Sequence, residues 1–530
     1  ALTATDVVAG GGTGDSVTLS TTTGGAVATL VTGADAVSIT ADAGDITIGA
    51  VTATAGTLGV TATTGSINDA ADDSTADFTA VGLITLTAQD EIGVLGSGTD
   101  TDLEFAASSS VNVSTTGTGA IDLDGLGALT LSDVDTANGA ITVTSAGALT
   151  VTDVASGTNG NISLTTSSGD ITGLATVNAG SGTVTLNSAG AIVDDSDTST
   201  VVTGGLLTAD AAGAITIDST VASADISTSA AGAIALDETD GITLTDLDTT
   251  DGSITVVAGG SIVATAVDSA DAGSDETHAV SLTASTGDIT IGAITSDSTL
   301  TIVATAGSIN DAGDDTTTDL TSASNTIVLT AQDEIGGNAA TMSTDTAGAI
   351  EVAANSALDV SSTTAGNLVL SGAGVLTLTD LDTTDGSITV SAGGALTATD
   401  VVAGGGTGDS VTLSTTTGGA VATLVTGADA VSITADAGDI TIGAVTATAG
   451  TLGVTATTGS INDAADDSTA DFTAVGLITL TAQDEIGVLG SGTDTDLEFA
   501  ASSSVNVSTT GTGAIDLDGL GALTLSDVDT

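Results

Sequence analysis

Across 530 residues the sequence has no lysine, arginine, cysteine, proline, tryptophan or tyrosine. Each absence removes a class of explanation. Without cysteine there is neither a disulfide framework nor a thiolate zinc or iron–sulfur site. Without lysine or arginine there is no basic patch, which argues against nucleic acid and anionic membrane surfaces as partners. Aromatic surface is limited to four phenylalanines, so a stacking platform for sugars or bases is lacking. No apolar run reaches the roughly 18 residues that cross a bilayer, and no leader pattern of basic, apolar and small residues opens the sequence. Membrane insertion is therefore not expected.

What is present is acidic and apolar at once. Asp and Glu total 68, the only histidine is His278, and the formal net charge is −68. Side-chain ion pairs are confined to His278, so each carboxylate must face water, accept backbone hydrogen bonds or bind a cation. High charge with few aromatics is a signature of disorder. Against that reading, 41% of the residues are hydrophobic, and they are patterned rather than scattered.

The pattern is that of short strands. A glycine and a small residue precede an apolar–polar–apolar alternation, as in Gly127-Ala128-Leu129-Thr130-Leu131 and Gly139-Ala140-Ile141-Thr142-Val143. Period two with β-branched residues is a strand with one buried face. One apolar series runs Ile121, Ile141, Ile162, Val184, Leu207, Ile226, and an interleaved one Leu129, Leu149, Ile171, Ile192, Ile215, Ile234. Val134, Val154 and Val177 add a third spot. Two to three short strands in every ~20 residues predict an all-β parallel solenoid, one coil per period. Propeller blades need about twice that length. Between Leu58 and Val111, and again near Val280 and Ile327, the spacing fails, which predicts longer loops or bulged coils.

Repetition also operates at a larger scale. Residues 395–530 repeat residues 1–136 without a difference, an offset of 394. The expectation is a window on a tandem array, with 1–530 one continuous solenoid and 1–394 its repeating unit, about 19 coils and on the order of 90 Å long. Inside the unit, Gly65-Ser66-Ile67-Asn68-Asp69-Ala70 recurs as Gly307-Ser308-Ile309-Asn310-Asp311-Ala312. Asp133-Val134-Asp135-Thr136 has relatives in Asp246-Leu247-Asp248-Thr249 and Asp380-Leu381-Asp382-Thr383.

Phrases such as Gly44-Asp45-Ile46-Thr47-Ile48 and Gly252-Ser253-Ile254-Thr255-Val256 resemble the repeats of filamentous-haemagglutinin-like exoproteins and other giant bacterial β-strand-repeat surface proteins. The resemblance implies a right-handed parallel β-helix of roughly triangular section, secreted and displayed outside the cell. It has no counterpart here of that family's amino-terminal secretion domain.

For function, the composition favours structure over catalysis. β-helix lyases rely on a basic residue, which is missing. Paired carboxylates able to cleave a glycosidic bond lack a sugar platform, and His278, in Asp275-Glu276-Thr277-His278, reads as a solvated turn residue. The expected role is a subunit of an extracellular filament, fibre, sheath or biofilm matrix, self-associating end to end and, through divalent cations, side by side. The stalk of a cell-surface adhesin, in contact with surface or matrix polysaccharide, is the alternative. Ranks of outward Thr (Thr142/Thr144, then Ser163/Thr165) raise ice binding as a lesser one, but Thr208/Asp210 interrupts them. Asn112-Val113-Ser114 and Asn161-Ile162-Ser163 match the glycosylation acceptor pattern.

Metal binding is the chemistry the sequence invites. Oxygen-only ligands in turns suit Ca²⁺, or Mg²⁺. The candidate ligands are Asp69 with Asp72 and Asp73, Asp194 with Asp195 and Asp197, and Asp311 with Asp314 and Asp315.

Overall fold

The chain is described here by a computed structural model covering residues 1–12, 14–71, 73–93, 102–195, 202–269, 277–313, 316–337, 348–465, 468–487 and 496–530. Among these residues there is no helix, and every strand pairing is parallel. The contacts divide the chain into two compact units, Ala1–Val256 and Val257–Thr530. Together they hold about 23 β-solenoid turns, with coils about 21 residues apart.

The stacking follows the apolar series. In the first unit Ile121 pairs with Ile141, Ile141 with Ile162, and Ile162 with Val184. Leu129, Leu149, Ile171, Ile192, Ile215 and Ile234 form an unbroken second ladder. Val134, Val154 and Val177 form a third that continues to Val202. All of these side chains are buried, and full burial of one Val, Leu or Ile stabilises by about 1.5–3 kcal/mol. One expected pairing is displaced. Leu207 faces Ala224, while Ile226 faces Ala209. A shift of two residues keeps every side chain on its own face, so period-two patterning does not distinguish the two registers.

The longer coils fall where the spacing fails. Leu58 pairs with Ile84 and Ile84 with Val111, steps of 26 and 27 residues. In the second unit Leu300 pairs with Ile327 and Ile327 with Leu358, steps of 27 and 31. Beyond these long steps the ladders resume their ordinary spacing, Val111 pairing with Leu131 and Leu358 with Leu378.

Corners are tied by side chains to the neighbouring coil. Asp45 Oδ1 accepts the Ser66 N–H at 3.0 Å, Asn161 Oδ1 that of Thr183 at 2.9 Å, and Asp170 Oδ1 that of Ala191 at 2.8 Å. The second unit repeats the device with Asp288 to Ser308 and Asn367 to Ser387, each at 2.9 Å. The Gly-(Asp/Asn)-Ile/Leu phrase thus combines a turn glycine, an acceptor for the next coil and an inward apolar residue. Buried corner hydroxyls close their own turns, as when Thr166 donates to the Gly169 carbonyl at 2.9 Å and Thr249 to that of Gly252 at 2.6 Å. Replacement of Asp170 by Ala should cost about 1 kcal/mol. Hydrogen exchange should show the Ala191 amide losing protection while Ser66 is unchanged; unaltered exchange at Ala191 would remove the clamp from this account.

Candidate metal centre

The extended coils carry the most unusual chemistry in the chain. Ile67 enters the wall beneath Ile46 and above Ile92. Two residues on, Asp69 ends the strand Ile67–Asp69, and its Oδ1 accepts the Ala71 N–H at 3.0 Å. The chain returns at Asp77, whose carbonyl accepts the Val51 N–H at 2.7 Å and whose own N–H donates to the Glu104 carbonyl at 3.0 Å. Asp77 Oδ2 then accepts the Glu104 N–H at 3.2 Å. Asp77 and Glu104 are thus held one above the other by a crossed pair of bonds, one between backbones and one from the Glu104 N–H to the Asp77 carboxylate.

This brings carboxylate oxygens of Asp69, Asp77 and Glu104 within 4.8 Å of one another. Asp77 and Glu104 are buried, Glu104 completely. The residues that follow them, Phe78 and Phe105, stack with ring centroids 5.3 Å apart. The identical segment in the second unit builds the same group from Asp463, Asp471 and Glu498 beside Phe472 and Phe499. A third group, Asp311, Asp319 and Glu351, keeps the crossed bonds (Asp319 N–H to the Glu351 carbonyl at 2.9 Å, Glu351 N–H to Asp319 Oδ2 at 2.8 Å). Its flanking residues are Leu320 and Val352 instead of phenylalanines. The acidic group therefore persists where the aromatic pair does not.

Electrostatics limit what these groups can be. Burial, with contributions from the Glu104 carboxyl and the Asp69 charge, pushes Asp77 up to about 10. Asp471 is pushed up to about 9, again chiefly by burial. No lysine or arginine exists to neutralise them. Three ionised carboxylates at this separation and burial are not tenable by themselves, so each group needs a proton or a cation. The donor set, oxygen only and without imidazole or thiolate, fits a hard divalent ion.

The sequence candidates divide accordingly. Asp69 and Asp311 are members of these groups. Asp73 is fully exposed, accepts the Thr75 N–H at 2.8 Å and lies below the usual carboxylate range because of the hydrogen bonds from Thr75. Asp194 ends the strand Ile192–Asp194 and Asp195 is exposed beyond it; neither joins a group of three carboxylates among the described residues. Asp72, Asp197, Asp314 and Asp315 lie outside the described residues. Asp77, Glu104, Asp319, Glu351, Asp463, Asp471 and Glu498 were missed. Their signal was available: Leu103-Glu104-Phe105 and Ile350-Glu351-Val352 each set a glutamate between two inward residues, and Asp77 and Asp319 follow Asp69 and Asp311 at the same interval.

Other acidic features are more open. At one corner a bulge turns aspartates outward in register, Asp225 against Asp246 and Asp359 against Asp380, while Asn112 Nδ2 donates to Asp133 Oδ2 at 3.0 Å. Burial first, then neighbouring carboxylates, raise Asp153, Asp225 and Asp382. An open groove of about 510 Å³ in the second unit is lined by Ser308, Asp333, Glu334, Asn367, Asp385 and Asp409, among others. His278, expected in a solvated turn, is instead only 14% exposed, with Nδ1 3.6 Å from Asp297 Oδ2.

Fold and site define an acidic parallel β-solenoid with recurrent buried carboxylate groups. Comparison with protein-family models, curated proteins and solved structures finds no match. The solenoid agrees with the resemblance at the level of its repeats.

Proposed function

We propose that this protein is a structural subunit of an extracellular fibre or sheath, in which bound Ca²⁺ offsets the charge of its carboxylates. The reading is non-catalytic. The observation that carries it is the recurrence of the whole arrangement, coils and acidic group together, in the segment repeated at an offset of 394 residues. A sequence copied in this way extends a rod without inventing a new interface. Ca²⁺ is favoured over Mg²⁺ because it tolerates irregular, carboxylate-rich oxygen shells, whereas Mg²⁺ demands near-ideal octahedral geometry.

Imaging of native filaments together with a chelator titration tests both parts. Filaments built mainly of this chain, loosened in low salt by chelator and restored by millimolar Ca²⁺ better than by Na⁺ at equal ionic strength, are expected. Filaments of another composition would overturn the structural role. Filaments of this chain indifferent to chelation would overturn the role of the ion.

A further inference from the structure

The corner that carries the aspartate ladder is interrupted by leucine. In the second unit its successive positions are Asp359, Asp380 and Asp400, followed in register by Leu424 and Ala444. The first unit shows the same succession as Asp6, Leu30 and Ala50. Leu30 is 41% exposed and Leu424 40%; Val27 and Val421, around the same bends, are 36% and 38% exposed. The fold does not demand an apolar residue there, since the same corner accepts aspartate on the coils before it.

Nor is the leucine alone. The strands Ala26–Gly33 and Ile46–Ala53 contain no carboxylate, and neither do Val17–Thr21, Val37–Ala41 and Leu58–Ala62 on the adjoining wall. Their outward residues are Thr, Ser, Gly, Ala, Val and Leu, while Asp15, Asp35, Asp42 and Asp45 are confined to turns. An uncharged ridge on a chain of net charge −68 is a local departure from the rule that governs the rest of the surface.

We propose that this ridge, the strands Ala26–Gly33 and Ile46–Ala53 with Leu30 at its crest, and its repeat around Leu424, dock a second copy of the same chain side by side. The inference rests on the fibre reading and supplies its lateral contact. Charge selects the occupant. A second copy brings aspartate ladders of its own, and ridge against ridge is the apposition that brings the fewest carboxylates face to face. A basic partner would seek the carboxylate ladders instead, and a glycan would find no aromatic platform, since all four phenylalanines are buried. Self-contact of one patch is isologous, Leu30 meeting its counterpart.

The test uses the full chain in chelator with high sodium chloride, where cation bridging is absent and repulsion is screened. Sedimentation velocity should show paired chains, and electron microscopy should show filaments two or more chains wide. The double variant Leu30→Asp/Leu424→Asp places at the crest the residue this corner already accommodates, so circular dichroism should be unchanged. Pairing should weaken at least about tenfold. Thr144→Asp, on the wall formed by Ile141–Ser145, should pair like the unaltered chain. The proposal is overturned by unaltered pairing in the double variant, by unpaired wild-type chains that associate only when Ca²⁺ is added, or by capture of a neutral polysaccharide on the ridge without pairing. Single-file filaments with no pairs would sink the lateral contact and leave the fibre reading intact. Failure of the unaltered chain to form filaments of any width would remove both.

Discussion

In chelator, the melting temperature of the chain is expected to fall as the pH is raised from about 4 toward about 10, and Ca²⁺ is expected to restore it at the alkaline end. The cause is the buried acidic groups. In the unfolded chain Asp77 gives up its proton near the ordinary value of 3.8, whereas in the folded protein burial holds that proton until about 10. Asp471 behaves alike, with a folded value of about 9. Between those limits the folded state binds more protons than the unfolded state, so stability is lost as pH rises and levels off above the folded values. A divalent ion replaces the proton as the neutralising charge, which is why it acts most strongly at high pH. The combined substitutions Asp77→Asn, Asp319→Asn and Asp471→Asn keep a carbonyl acceptor for the Glu N–H groups and need no proton. They should flatten the pH profile, raise the melting temperature at pH 9 and blunt the response to Ca²⁺. A wild-type profile that is flat from pH 4 to 10 in chelator would show that these groups are solvated rather than sealed.

The second large effect concerns the spacing between coils. Gly157 has φ of +71°, and a methyl group there would overlap the Ala137 carbonyl oxygen of the preceding coil. That coil cannot retreat, because the Val134–Val154 and Ile141–Ile162 pairs fix its distance on both sides of the turn. Gly157→Ala should therefore combine a left-handed backbone penalty with overpacking, about 3 kcal/mol in all. Gly14 supplies the comparison: its φ is +101°, yet nothing lies within 4 Å of an added Cβ. There the penalty should be the backbone part only, about 1 kcal/mol. Urea unfolding of the two variants separates the terms, and equal shifts would mean that the turn yields more readily than the ladders imply.

The wall of the solenoid was legible in the sequence because its signal is local and repeated. Every inward position of the Leu129 to Ile234 series can be read without knowing what faces it, since each coil tells the same story as the next. Leu207 marks the limit: its partner could be chosen only by knowing that the following coil is short, and alternation is blind to a slip of two. The acidic groups were half legible for a related reason. Asp69 and Asp311 stood out among neighbouring carboxylates in their turns, which suggested Asp72 and Asp73, or Asp314 and Asp315, as fellow ligands. Among the described residues the carboxylates grouped with Asp69 lie further along the chain, at Asp77 and, a coil on, at Glu104. Their proximity is produced by stacking, and stacking distance is invisible to a reading that looks only along the chain. Leu30 was overlooked because its meaning depends on which residue occupies the same corner one coil away.

The direction of the backbone hydrogen bonds has a mechanical consequence. Between coils these bonds point along the solenoid axis, so tension applied along that axis pulls on them one coil at a time rather than shearing a whole ladder at once. A freed coil of about 21 residues pays out roughly 70 Å of extended chain in place of about 4.8 Å of rise. Within each unit the material should behave as a reel that lengthens in steps of about 65 Å and dissipates a pull progressively. The long coils, clasped at their feet by Asp77 and Glu104 or by Asp319 and Glu351, would release larger steps. A force trace with one abrupt rupture and no such steps would contradict this behaviour.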